Sequence, residues 1–99
     1  MDDLTVPGTL KSVRTIGQYV LTAAEEAGLE ERAAYRLRQA VDEIATNAVI
    51  HGYQLCGREG CLTVSARLNK GKLTITLHGD YNNTGDAILR IDVIEVTGG

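Results

Sequence analysis

Glu43, Asn47 and His51 are spaced four residues apart within the run Ala40-Val41-Asp42-Glu43-Ile44-Ala45-Thr46-Asn47-Ala48-Val49-Ile50-His51-Gly52-Tyr53. On a helix, at about 100° of rotation per residue, that spacing sets the three side chains in one stripe, one turn above another. A carboxylate is a competent proton acceptor at neutral pH, and a carboxamide oxygen suits a hard cation such as Mg²⁺ that also leans on phosphate oxygens. The stripe could therefore hold a metal-bound phosphate beside a general base. Spacing alone leaves a plainer reading open, in which Glu43 and Asn47 are boundary residues and His51 is a helix-end histidine favoured by the macrodipole.

Several elements must position that stripe. Leu37, Val41, Ile44 and Ala48 recur at core-face spacing, which predicts a helix from Glu30 and Glu31 to His51, stopped by Gly52, with Glu43 and Asn47 along the edge of the buried face. Arg32, Arg36 and Gln39 share its exposed side, as a solvated face or as part of a partner surface. Ahead of it a short strand at Leu4 to Val6 is broken by Pro7-Gly8. Thr9 can cap a first helix with Leu10, Val13, Gly17, Val20, Leu21 and Ala24 on one face, and Ala27-Gly28 closes that helix. Beyond the loop, Cys61 to Leu68 and Leu73 to His78 alternate as two strands joined by the turn Asn69-Lys70-Gly71-Lys72, and Ile88 to Val96 is a β-branched strand. The implied fold class is α+β, two helices covering one face of a sheet in a two-layer sandwich.

Composition bounds the function. A chain of 99 residues with a formal charge of −3 and a pI near 5.3 makes a single small domain without the basic field that nucleic acid requires. No apolar run approaches the ~20 residues of a membrane span and the N-terminus is acidic, so a soluble cytoplasmic protein is expected, with neither membrane nor nucleic-acid partners. Cys56 and Cys61, even with His51 and His78, match none of the usual zinc spacings, and free thiols are expected.

From Leu4 to Tyr53 the chain resembles the bacterial anti-sigma factor serine kinases, within the ATPase superfamily of gyrase B, the Hsp90-type chaperones, MutL and the histidine kinases. The resemblance rests on Leu4-Thr5-Val6-Pro7-Gly8-Thr9-Leu10, on Ala27-Gly28-Leu29 between helices, and on Val41-Asp42-Glu43, Thr46-Asn47-Ala48 and His51-Gly52-Tyr53, which match the family's asparagine box. It implies a histidine-kinase-like ATPase domain (Bergerat fold) over residues 1–99, with helices on one face of a mixed, mostly antiparallel sheet. It also implies ATP and Mg²⁺ as cofactors, Glu43 as the general base towards a partner's serine, Asn47 as the Mg²⁺ ligand, and His51 in the same nucleotide-binding box.

The family's next motif is an aspartate that bonds adenine, followed by alternating glycines. Here His78-Gly79-Asp80-Tyr81-Asn82-Asn83-Thr84-Gly85 puts Gly79 at the aspartate's register. Asp80 takes the role through a one-residue shift such as a bulge at Gly79, and Asn82 replaces the first glycine. Gly85-Asp86-Ala87-Ile88 is the trace of the second glycine motif, with Ala87 for a glycine. The residues by themselves equally fit a polar turn between strands. The ATP lid and the final strand of the family are expected to be missing. The unfinished sheet edge makes a homodimer a candidate arrangement. The implied function is an ATP-binding regulator that sequesters a sigma factor and phosphorylates a serine of a STAS-type anti-anti-sigma factor. The alternatives are a non-catalytic partner-binding module of the same fold, or a fragment whose activity belongs to a longer relative.

Overall fold

The computed structural model describes residues 1–50, 60–81 and 87–96, with residues 80–81 and 87–96 as backbone. The elements run β1 (Leu4–Pro7), α1 (Leu10–Glu26), α2 (Glu31–Asn47), β2 (Gly60–Asn69), β3 (Lys72–Tyr81) and β4 (Ala87–Val96). The strands lie in the order β1-β2-β3-β4, and all three described pairings are antiparallel, so the parallel component of a mixed sheet does not occur among them. The helices pack together, and the α+β two-layer architecture expected from the pattern is the one found.

α1 has two contact directions, because it must cover the sheet and meet α2 at once. Ile16, Tyr19, Val20, Ala23 and Ala24 are buried, whereas Leu10, expected on the core face, is 45% exposed, and Val13 and Leu21 are half-buried. The buried face is therefore rotated from the one read in the sequence, towards Tyr19 and Ala23. A bare apolar count cannot separate a helix with one packing partner from a helix with two. Gly17 occupies the α2 side: a Cβ there would stand 2.9 Å from Arg38 Nε and 3.0 Å from Asp42 Oδ1. Its missing side chain is what permits those two side chains to lie over α1.

The end of α1 is a Schellman closure. Gly28 takes φ +81°, its N–H donates to Glu25 O at 3.1 Å, and Leu29 N–H donates to Ala24 O at 3.0 Å, while Leu29 packs against the core. Thr9 is extended at the start of the helix, but its hydroxyl meets Ser12 Oγ at 3.1 Å and makes no cap to the backbone. α2 buries Ala33, Ala34, Leu37, Val41 and Ala45, and the chain continues through 48–50 as a wider helical turn in which Val49 is fully buried. Against these helices the sheet presents Leu62 and Val64 of β2 and Leu73, Ile75 and Leu77 of β3, all essentially inaccessible. Burying each such side chain contributes about 1.5–3 kcal/mol.

The β2–β3 hairpin turns through Lys70 (φ 51°) and Gly71 (φ 77°) with Asn69 paired to Lys72, the two-residue geometry that matches the twist of antiparallel strands. Pairing of β3 with β2 is unbroken from Lys72 to Tyr81, with Gly79 opposite Leu62 and Asp80 opposite Cys61. The register does shift at the level of Gly79 and Asp80, but on the other side of β3. Gly79 faces Leu89 and Asp80 faces Ala87, which leaves Ile88 of β4 as the extra residue.

Candidate active site

Glu43 and Asn47 both lie on the exposed side of α2. The buried stripe runs through Leu37, Val41 and Ala45, and two residues beyond Val41 the helix has turned about 200°, so Glu43 points away from the core rather than along its edge. Glu43 and Asn47, one turn apart, line the same open hollow of about 490 Å³ together with Gln39, Asp42 and Thr46. Among the described residues Glu43 enters no ion pair, which leaves its carboxylate available as an acceptor.

The neighbouring carboxylate is used differently. Asp42 Oδ2 stands 3.5 Å from Arg38 Nε, a pair spaced one turn along α2, while Asp42 Oδ1 is buried and meets no hydrogen-bond donor. Burial pushes the Asp42 carboxyl above its ordinary range, and the Arg38 guanidinium pulls partly the other way. Asp42 thus sits at the seam with α1, over Gly17.

The hollow offers hard oxygen donors from two carboxylates, of which Asp42 is engaged by Arg38, two side-chain amides and a hydroxyl. Among the described residues no three His, Cys, Asp or Glu side chains gather to hold a metal by themselves. That donor set fits Mg²⁺ arriving with phosphate oxygens and taking one or two protein ligands, and does not fit a metal held wholly by the protein. Of the other expected site residues, His51, Asn82 and Gly85 lie outside the described residues, as does Cys56. Asp80 is placed by its backbone in β3, opposite Cys61, which is exposed.

One exposed residue was missed in the sequence. Tyr35, 54% exposed, stands between Arg32 and Arg36 on the open side of α2, and its position four residues after Glu31, three after Arg32 and four before Gln39 was the signal that could have found it.

Among the described residues no helix is long and apolar enough to cross a membrane. No curated protein matches the chain at a significant level. Residues 6–87, which include α1, α2, the hairpin and both acidic positions of the hollow, match the sequence model of the family described as histidine kinase-like ATPase domain. With an oxygen-lined hollow on its second helix and helices layered on an antiparallel sheet, the chain belongs to the histidine kinase-like ATPase domain family.

Proposed function

We propose that this domain is an ATP-binding, anti-sigma-factor-like regulator that holds a sigma factor and transfers phosphate to a serine of an antagonist protein. The observation that carries the reading is the pair Glu43 and Asn47, exposed one turn apart in one hollow with the carboxylate free of any ion pair among the described residues. When bound, Mg·ATP supplies the transferable phosphoryl group and the charge screening it needs. The chain's own residues orient and deprotonate. Asn47 would offer its carboxamide oxygen to the metal, and Gln39 and Thr46 line the adjoining wall. Glu43 would accept the proton of the serine hydroxyl, and the bound nucleotide would supply the phosphoryl group to that hydroxyl with ADP as the leaving group.

Titration calorimetry with ATP, with and without Mg²⁺, tests the reading on the chain and on Asn47→Ala. Affinity that strengthens with Mg²⁺ in the chain, and loses that dependence in Asn47→Ala, is the expected outcome. Unchanged Mg²⁺ dependence in the variant would remove Asn47 as the ligand.

A second reading has one observation in its favour. Gly79 keeps the core-facing register opposite Leu62, with no shift on the β2 side to bring Asp80 there. A partner-binding module that has lost nucleotide chemistry accounts for that register, and absence of ATP binding at millimolar concentration would select it.

A further inference from the structure

α2 carries a second hollow beside the first. Glu31, Arg32, Tyr35, Arg36 and Gln39 line it, its volume is also about 490 Å³, and Gln39 belongs to both, so the two form one track along the helix. Arg32, Arg36, Gln39, Glu43 and Asn47 follow one another at steps of three or four residues, the spacing of a single helical stripe, with Tyr35 beside it three residues after Arg32 and four before Gln39, and all six are exposed. Among the described residues neither Arg32 nor Arg36 enters an ion pair, whereas Arg38 is taken up by Asp42. Two arginines against one glutamate make this hollow locally positive on a chain whose net charge is −3. An exposed tyrosine between two unpaired guanidinium groups has the composition of a protein-binding surface, and the guanidinium fork matches carboxylates.

We infer that this stripe is the docking track for the acceptor protein: an extended acidic segment lies along α2, its serine at Glu43 and its carboxylates on Arg36 and Arg32. The inference rests on the reading of Glu43 as the phosphoryl-transfer base. With a helical rise of about 1.5 Å per residue, Arg36 is about 10 Å and Arg32 about 16 Å from Glu43 along the axis. An extended chain advances about 3.3 Å per residue and turns alternate side chains to opposite faces, so residues on the serine's own face come within side-chain reach of those arginines at about four and about six positions. The acceptor serine therefore has acidic residues about four and about six positions away on one side. Tyr35 supplies the flat apolar contact between the two charge pairs.

The test uses the purified chain and three fluorescent serine peptides of equal length. One carries glutamates four and six residues after the serine, one carries them four and six residues before it, and one carries glutamines instead. Binding is read by anisotropy, and phosphate incorporation is followed in parallel with Mg·ATP. One of the two acidic peptides is expected to bind about 3- to 10-fold more tightly than the neutral one, as two exposed ion pairs allow. That preference is expected to shrink with added salt and to vanish in Arg32→Glu/Arg36→Glu, whose ATP titration stays unchanged. Equal binding of all three peptides, or a preference that survives the double variant, would overturn the track. So would arginine-dependent self-association in sedimentation, which would make a second copy of the chain the occupant. Arginine-dependent binding without phosphate incorporation supports the track and rejects the kinase reading, whereas incorporation indifferent to the glutamates does the reverse.

Discussion

The seam between α2 and α1 and the open side of α2 lie only a fraction of a helical turn apart, and they give adjacent carboxylates opposite circumstances. At the seam, Asp42 has one oxygen buried without a donor and the other on Arg38, over a glycine that leaves it room. On the open side, Glu43 is exposed and unpaired among the described residues. What separates them is the 100° turn between consecutive helical residues, set against a fixed core stripe at Leu37, Val41 and Ala45. Acidity in itself marks neither residue for chemistry; the direction in which the helix turns it does.

The strongest way to break this contrast is to remove the charge at each position. Glu43→Gln is expected to leave folding and nucleotide binding intact while phosphoryl transfer falls about 10²- to 10⁴-fold in single-turnover assays, the usual contribution of a general base. Asp42→Asn should leave transfer within about twofold of the parent, since both line the hollow but only the Glu43 carboxylate is unpaired among the described residues while Asp42 is engaged by Arg38 at the seam; equal losses would erase the distinction. Next in size, Leu37→Ala opens a cavity under α2, and urea denaturation should show a loss of about 2–5 kcal/mol. The same measurement on the exposed Asn47→Ala should give less than about 0.5 kcal/mol. The smallest effect is electrostatic. Burial raises the Asp42 carboxyl above its ordinary value of 3.8, so the folded chain binds that proton more tightly than the unfolded chain does. The ionised carboxylate therefore costs stability at neutral pH, and this cost disappears as pH falls through the raised value towards 3.8. Comparing urea midpoints near pH 7 and near pH 4.5, Asp42→Asn is expected to lack that component of the pH dependence.

Much of this arrangement was legible in the sequence, and the limits of legibility are physical. The hairpin was readable because period-2 alternation on both arms and Lys70-Gly71 at the turn agree on one register. The α2 core stripe was readable at Leu37 and Val41, but it continues through Ala45 and Val49 while Ile44 and Ala48, expected in it, are only half-buried. The α1 face was misjudged because Tyr19 and Ala23 serve the sheet while Gly17 serves α2, and an apolar count averages the two directions. Tyr19 itself carries a hydroxyl that approaches the Ala66 backbone without meeting hydrogen-bond geometry, a detail that no sequence pattern announces. In the candidate site, spacing located Glu43 and Asn47 together but put them at the edge of the core, half a face from where the helix turns them. The register shift beside Gly79 was foreseen on β3 and occurs through Ile88 on β4, because a pairing irregularity belongs to two strands and the sequence of one cannot assign it.

β1 is a four-residue edge strand held to β2 by pairs such as Thr5↔Thr63, whose hydroxyls meet at 3.0 Å across a sequence separation of 58 residues. The β2–β3 contact, by contrast, closes through two residues at the turn. Loop-closure entropy thus orders assembly: the hairpin can form on its own, whereas β1 docks only after both helices have brought the chain back. Pro7, at the end of that strand, contributes no N–H to the ladder, so little resists its departure. The N-terminal strand is the last part of this fold to arrive and the first to leave, and amide exchange should run fastest in the sheet there.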